Sequence, residues 1–340
     1  MIVKSLLVGA WLAGALMSST ATRAWAWGAE GHRIIGRLAV EALPDDLPAF
    51  LRSVGVSVAV GELAREPDRW RDAGKVHDSD RDPAHFVDLD DQGRILGGPA
   101  LSALPPTVEA YDAALRAVGS DSWKAGRLPY AMIDSWQQLV KDFTYWRIDS
   151  AASLKVSNPE HRAWFIADMA ERRALILRDL GILGHYAGDG SQPLHVTVHY
   201  NGWGAGDANP AGYTQARIHG PFEGEYVHAY ADPSTIRADM TAYTDCHCPI
   251  GAWTSAYLGR TGAQVVPLYE LYKSGGFVDG DPRGRAFVNA RLAAGASAMR
   301  DLTVDAWRAS AEGRAGWPAV SVADVEAGAV DPYDSLYGID

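Results

Sequence analysis

The chain of 340 residues is 47% hydrophobic and carries a formal charge of -11, with 42 acidic against 31 basic residues. Such a surface repels a polyanion at long range and lacks the basic footprint of a module that holds nucleic acid by phosphate contacts alone, so any phosphate recognition has to be local. Two cysteines exclude a disulfide framework, and the absence of an N-x-S/T sequon favours a bacterial-type exported protein over a eukaryotic secreted one.

Residues 1–26 read as a secretory signal, with Lys4, an apolar run over 6–17, and Ala24-Trp25-Ala26 as an A-x-A cleavage site. The apolar run falls short of the roughly 20 residues a helix needs to span a bilayer, and no later segment approaches that length. The expectation is an exported protein, periplasmic or extracellular, without a transmembrane segment in its mature form and with Trp27 as its free amino terminus. Loss of Lys4 and Arg23 takes the formal charge to -13. Three bound divalent ions would supply the missing local positive charge and still leave the sum at -7.

Helical spacing of Ile34, Ile35, Leu38 and Ala39 predicts a helix over 31–42. The segment 54–98 is rich in Asp, Arg, His and Gly without sustained period, and is expected to be mostly loop around a short helix near Leu63. Helices are predicted over 108–118, 129–144, 160–186, 267–274 and 284–309. In the third of these, Trp164, Ile166, Met169, Ala174, Leu177, Leu180, Ile182 and Leu183 mark an apolar face. Long alternating strands are absent, so the expected fold class is all-α, a single bundle-like domain over 27–310 with long irregular connections. Residues 311–340 turn acidic and are punctuated by Gly and Pro, as in a packed or partly mobile tail. Cys246-His247-Cys248 carries either a local disulfide or two thiols.

The chemistry concentrates in the histidines. His185 and Asp189 are four apart at the end of the long predicted helix, so they project from one face about one turn apart and can converge on one ion. Pro193 then turns the chain, and His195 can return toward the same region. His219 and Glu223 repeat the four-residue spacing. Imidazole and carboxylate ligands without thiolate form the ligand set of catalytic zinc sites, which keep positions open for water.

Taken in order, Trp27-Gly28-Ala29-Glu30-Gly31-His32, Asp68-x-x-Arg71, His85-Phe86-Val87-Asp88, the run over 185–195 and His219-x3-Glu223 resemble the motif series of the S1/P1 nuclease and zinc-dependent phospholipase C superfamily. The resemblance covers 27–227, and its step from His85 to His185 is longer than usual, which implies an insertion. It implies an all-α fold of the phospholipase C/P1 nuclease type around a trinuclear zinc cluster. One zinc would take Asp68, His85, His185 and Asp189. A close neighbour would take the Trp27 amine and carbonyl, His32 and the shared Asp189, and the third would take His195, His219 and Glu223.

The implied activity is phosphodiester hydrolysis by a metal-bridging hydroxide, with Asp68 and Asp189 as catalytic candidates. The short step from Trp27 to His32, Arg71, and Phe86 with Asp88 resemble the nuclease branch, in which the aromatic stacks on a base and the acid bonds its edge. That makes single-stranded DNA and RNA, or a 3′-nucleotide, the expected substrates of a monomeric enzyme. Glu223 and His185-Tyr186 resemble the phospholipase branch, with a phospholipid as the alternative substrate. Glu30 stands where that branch places a headgroup-binding acid, and equally suits the first turn of a helix. A non-catalytic periplasmic zinc-binding protein would use the same ligands, but closed Cys-rich or four-histidine sites are absent from the pattern.

Overall fold

The computed structural model describes residues 27–278 and 280–338; the signal sequence expected over 1–26 lies outside them. Among the described residues the chain is all-α apart from one short hairpin, and no helix is long and apolar enough to cross a membrane. In chain order come α1 (Gly28–Glu41), α2 (Val56–Leu63), α3 (Glu66–Arg69), α4 (Lys75–Arg81), α5 (Val108–Arg116), α6 (Ser122–Ala125) and α7 (Leu128–Lys155). They are followed by α8 (Pro159–Asp189), α9 (Val227–Tyr230), α10 (Pro233–Asp239), α11 (Ile250–Gly262), α12 (Val265–Lys273), α13 (Pro282–Ala309) and α14 (Val322–Glu326). The strands β1 (Arg314–Ala315) and β2 (Val320–Ser321) pair antiparallel between α13 and α14.

The long helices begin at local signals. Asn158 caps α8 by accepting from the Glu160 amide, and Asp281 caps α13 by accepting from the Arg283 amide; each is followed by a proline at the first helical position. These caps place the starts one or two residues ahead of the apolar periodicity. The helices α7 and α8 form an antiparallel hairpin, against which α13 and α1 pack; α2 lies between α1 and α8. The main core runs through Ile35, Leu38, Leu139, Phe143, Leu180, Leu183, Leu292 and Met299, all buried.

Three sequence expectations need correction. The segment 54–98 is about half helical, all of it before residue 86 (α2, α3, α4 and a 3-10 turn at Asp82–His85), because short amphipathic turns pack there without accumulating a visible period. The helix α7 runs on past residue 144 to Lys155, with Ile148 and Ala152 buried along its extension. On α8, Ile166 and Ala174 are exposed, while Phe165, Ile176 and Asp179 are buried. Of the two forms expected for 311–340, the described part takes the packed one: Ala315, Val322 and Val325 close a second small core with Ile148, Ala152, Val156 and Phe165.

The displaced stripe has a polar cause, since the α7–α8 seam buries acids. Asp142 and Asp149 on α7 are 2% and 0% exposed, and Asp179 on α8 is 5% exposed. Asp142 faces Asp179, with Gln138 donating to both of its oxygens at 3.2 Å and Arg172 nearby; burial and the Asp179 carboxyl push it up to about 7. Asp149 faces Asp168, which pairs with Arg172 at 3.3 Å, and burial with the Asp168 charge raises it to about 8. An acid raised on folding binds its proton more tightly in the folded than in the unfolded chain. Its stabilising effect is complete below about pH 4 and is lost as pH rises through the folded value. Chemical denaturation between pH 6 and 8.5 should therefore show stability falling with pH. Asp142→Asn and Asp149→Asn should each flatten that slope and stabilise the protein at pH 8.5 by on the order of 2 kcal/mol.

Candidate metal centre

The last turn of α8 supplies the centre's pivot. His185 and Asp189 are fully buried and project from one face, with Nε2 and Oδ2 3.3 Å apart. The 3-10 turn Asp82–His85 delivers His85, whose Nδ1 lies 3.2 Å from the same Asp189 oxygen and 2.9 Å from His185 Nε2. Asp68, on α3, lies 3.9 Å from His85 Nδ1 and is held by Arg71, with Nη2 3.1 Å from its Oδ1. His32, on α1, stacks on the His185 ring at a centroid distance of 4.0 Å and brings Nε2 to 3.5 Å from Asp189 Oδ1. Gly188 permits that approach, because a Cβ there would sit 3.1 Å from His32 Nδ1.

A third group adjoins these. His195 follows α8 on a 3-10 turn, and His219 and Glu223 sit at the start of a π-helical segment, Pro221–Tyr226, whose wide turn puts them on one side. Glu223 Oε2 is 2.9 Å from His219 Nε2 and 3.4 Å from His195 Nε2, and receives a hydrogen bond from Gln192 at 3.3 Å. The donor atoms of three sets, His32 with His185 and Asp189, Asp68 with His85 and His185, and His195 with His219 and Glu223, lie within 4.8 Å of one another in each set. All eight side chains expected as ligands thus come together in buried positions. His185, as well as Asp189, stands between the first two sets.

The residues present fit divalent cations. His185 Nδ1 donates to the Ala64 carbonyl at 2.8 Å and His195 Nδ1 to the His85 carbonyl at 2.5 Å, so each turns the Nε2 lone pair toward the cluster. Both ring nitrogens of His32, Asp189 Oδ1, His219 Nδ1 and Glu223 Oε1 are buried and make no hydrogen bond within the protein. Buried polar atoms almost always find partners, so orphaned atoms clustered at one place mark a site for an ion. Nitrogen and oxygen donors, three side chains to a set and no thiolate, suit zinc with positions left for water.

The electrostatics match a cation site at His32, His85, Asp189 and Glu223. Burial and the neighbouring His185 push His32 well below the ordinary histidine value, and burial takes His85 down to about 3, so both are neutral and able to donate a lone pair. Burial opposes charge on Asp189 and Glu223 as well, yet the histidines around them outweigh it and hold both carboxyls below the usual range. His195 goes the other way, to about 9, because its bond to Glu223 and the Asp189 charge exceed the effect of burial.

The expected substrate-binding residues lie next to this cluster. Val87 donates its amide to the His195 carbonyl at 2.9 Å, so the segment holding Phe86 and Asp88 runs along the third set. Burial raises Asp88 to about 7 despite the nearby His195. Phe86 is half-buried, and its carbonyl accepts from the Leu128 amide at 3.0 Å. Ala64, Gly188, Ser191 and Gln192 support the centre but were not anticipated; Gly188, Ser191 and Gln192 had a signal, their place inside the histidine run, and Ala64 had none. His199 bonds Asp91 at 3.0 Å and stacks on Trp203 away from the ligand sets, and Trp70 is half-buried beneath Arg81. Cys246 and Cys248 form a disulfide in an exposed loop.

The chain matches no family model and no curated protein.

His195 and His219 are joined by a long loop pinned by aromatic packing: Trp203 lies against Tyr213 and Tyr269, and the Tyr269 hydroxyl donates to the His199 carbonyl at 2.6 Å and accepts from Gly202 at 3.1 Å. In a chelator titration, Tyr269→Phe should release one metal ion at concentrations that leave the other two bound.

Proposed function

We propose that this protein is a zinc-dependent phosphodiesterase of the S1/P1 nuclease type that hydrolyses single-stranded DNA and RNA, exported with Trp27 as its amino terminus. The observation that carries the proposal is the convergence of three buried His and carboxylate sets whose orphaned atoms face one another. Zinc bound there would supply a water acidified toward neutral pH and positive charge for the phosphoryl oxygens. Around it the chain's own groups have separate tasks. Asp189 bridges the His32 side and the His85 side, and Asp68 holds the Arg71 guanidinium at the rim, where it can meet a phosphate oxygen. Phe86 offers a ring for a base and Asp88 a carboxyl for its edge, a mode of binding that tolerates any sequence in a single strand.

One groove beside the cluster suits a nucleic acid. Tyr186 packs edge-on against His85 and His185, and it also lines a groove of about 330 Å³ with Trp70, Arg81, Arg127 and Tyr130, together with the carboxylates Asp80, Asp134 and Asp179. Aromatic rings and guanidinium groups in one groove suit a flexible strand. The exposed Leu154, Ile166, Trp317 and Tyr337 lie toward the opposite end of the α7–α8 hairpin. Apolar side chains also adjoin the third set, where Tyr200 is exposed with its ring 6.3 Å from that of His219 and Ile218, Phe222, Tyr226 and Phe277 line a pocket of about 390 Å³, a surface that suits the phospholipase alternative. Glu30, exposed beside Arg33, acts as an acid in the first turn of α1.

Side-by-side assay of single-stranded DNA, RNA and phosphatidylcholine vesicles should show chelator-sensitive hydrolysis of the nucleic acids alone. Cleavage of the lipid alone would move the chain to the phospholipase branch, and zinc binding without any hydrolysis would make it a zinc-binding protein. Asp189→Asn removes the carboxylate charge between two sets, and kcat should fall at least about a hundredfold, since the loss is felt mainly in the transition state. An α-amine ligates only when free and deprotonated. A chain carrying one extra residue before Trp27 should therefore hold less zinc and lose most activity, and full zinc content with full activity would remove Trp27 from the centre.

A further inference from the structure

Among the described residues Trp27 is the largest fully buried side chain. Its backbone is left-handed (φ 43°), and so is that of Gly28 (φ 54°), so the chain reverses sharply as it enters α1. The reversal folds Trp27 back over Gly31, where an added Cβ would lie 2.7 Å from the Trp27 Cβ. The Gly31 amide donates to the Trp27 carbonyl at 3.1 Å, one residue ahead of His32. The indole then reaches α8, where Nε1 donates to both the Gly188 carbonyl and Ser191 Oγ at 2.8 Å. Ser191 Oγ donates in turn to the same Gly188 carbonyl at 2.8 Å, closing a triangle on the residue before Asp189. The ring also lies against Phe222, with centroids 5.7 Å apart, one residue before Glu223.

We propose that Ser191, with the Gly188 carbonyl and the space left by Gly31, forms a socket that locks the Trp27 indole and so positions the Trp27 backbone at the ion held by His32 and Asp189. Ser191 is in this sense a positioning residue that acts through the indole, not a ligand. The inference rests on the zinc-centre reading above and adds a cause for the chain end staying in place. A terminal residue is otherwise held on one side only and frays, and a metal ligand on a fraying end would lose the ion. A buried N–H shared between two acceptors, one of them braced by the other, removes that freedom. Core packing alone would anchor the ring but would not require the hydroxyl.

The test uses Ser191→Ala, Trp27→Phe and the double variant in the full-length exported protein. Zinc is counted per chain and its affinity measured by chelator competition, with thermal unfolding of the metal-free proteins alongside. The wild type should hold three zinc ions. In Ser191→Ala one of the three should weaken by about tenfold while the other two keep their affinity. Trp27→Phe, which keeps an aromatic ring and the backbone but removes the pyrrole N–H, should weaken the same ion at least as much. The double variant should be no weaker than Trp27→Phe, because the hydroxyl has then lost the group through which it acts. Unchanged affinity for all three ions in Ser191→Ala would overturn the socket and leave the zinc centre standing. So would equal weakening of all three together with a lower metal-free melting temperature, which is the signature of a merely structural role. A wild-type protein that binds no zinc would overturn both.

Discussion

The structure depends on one electrostatic demand, the burial of the Asp189 carboxylate among His32, His85 and His185 at the closed end of a long helix. Taking a charge out of water costs several kcal/mol unless it is compensated locally, and here the partners arrive from three separate segments. That demand explains why α1, the 3-10 turn before Phe86 and the last turn of α8 all meet at one point. It also explains the glycine at 188, since a side chain there would hold His32 away from the helix. The Ala64 and His85 carbonyls belong to the same arrangement, for they decide which imidazole nitrogen faces inward.

The rest of the molecule can be read as support for that end of α8. The helix is long because its far half packs in the α7 hairpin and carries the second small core with the C-terminal residues, so the ligand-bearing turn hangs from a rigid rod. The third ligand set is built differently, with two of its histidines joined by a long loop and held by aromatic packing and the Tyr269 hydroxyl. One part of the centre is therefore set by helix geometry and the other by side-chain packing.

Polar burial away from the centre has its own signature. Asp142 and Asp149 lie in a seam that periodicity alone would fill with apolar residues, and each faces another carboxyl. They cost stability near neutral pH and mark places where the chain departs from an optimised core. The apolar face assigned to α8 was displaced for this reason: with acids on the buried side, Ile166 and Ala174 fall to solvent.

By itself the sequence determined the all-α class, the approximate positions of the long helices, and the identity of the eight side chains that converge. Helical period, proline caps and four-residue His-acid spacing are local properties, and local properties survive without a fold. It could not locate the end of α7, because the buried Asp149 interrupts the stripe, nor the short helices of 54–98, whose turns are stabilised only by what they pack against. Only the tertiary structure decided that Asp68 from one segment, His85 from another and His185 from a third stand around the same point. The same holds for Trp27, which in sequence is a residue after a cleavage motif and in the fold is clamped by Ser191, 164 residues further along. Contacts of that separation depend on the whole chain's packing, and no window of residues encodes them.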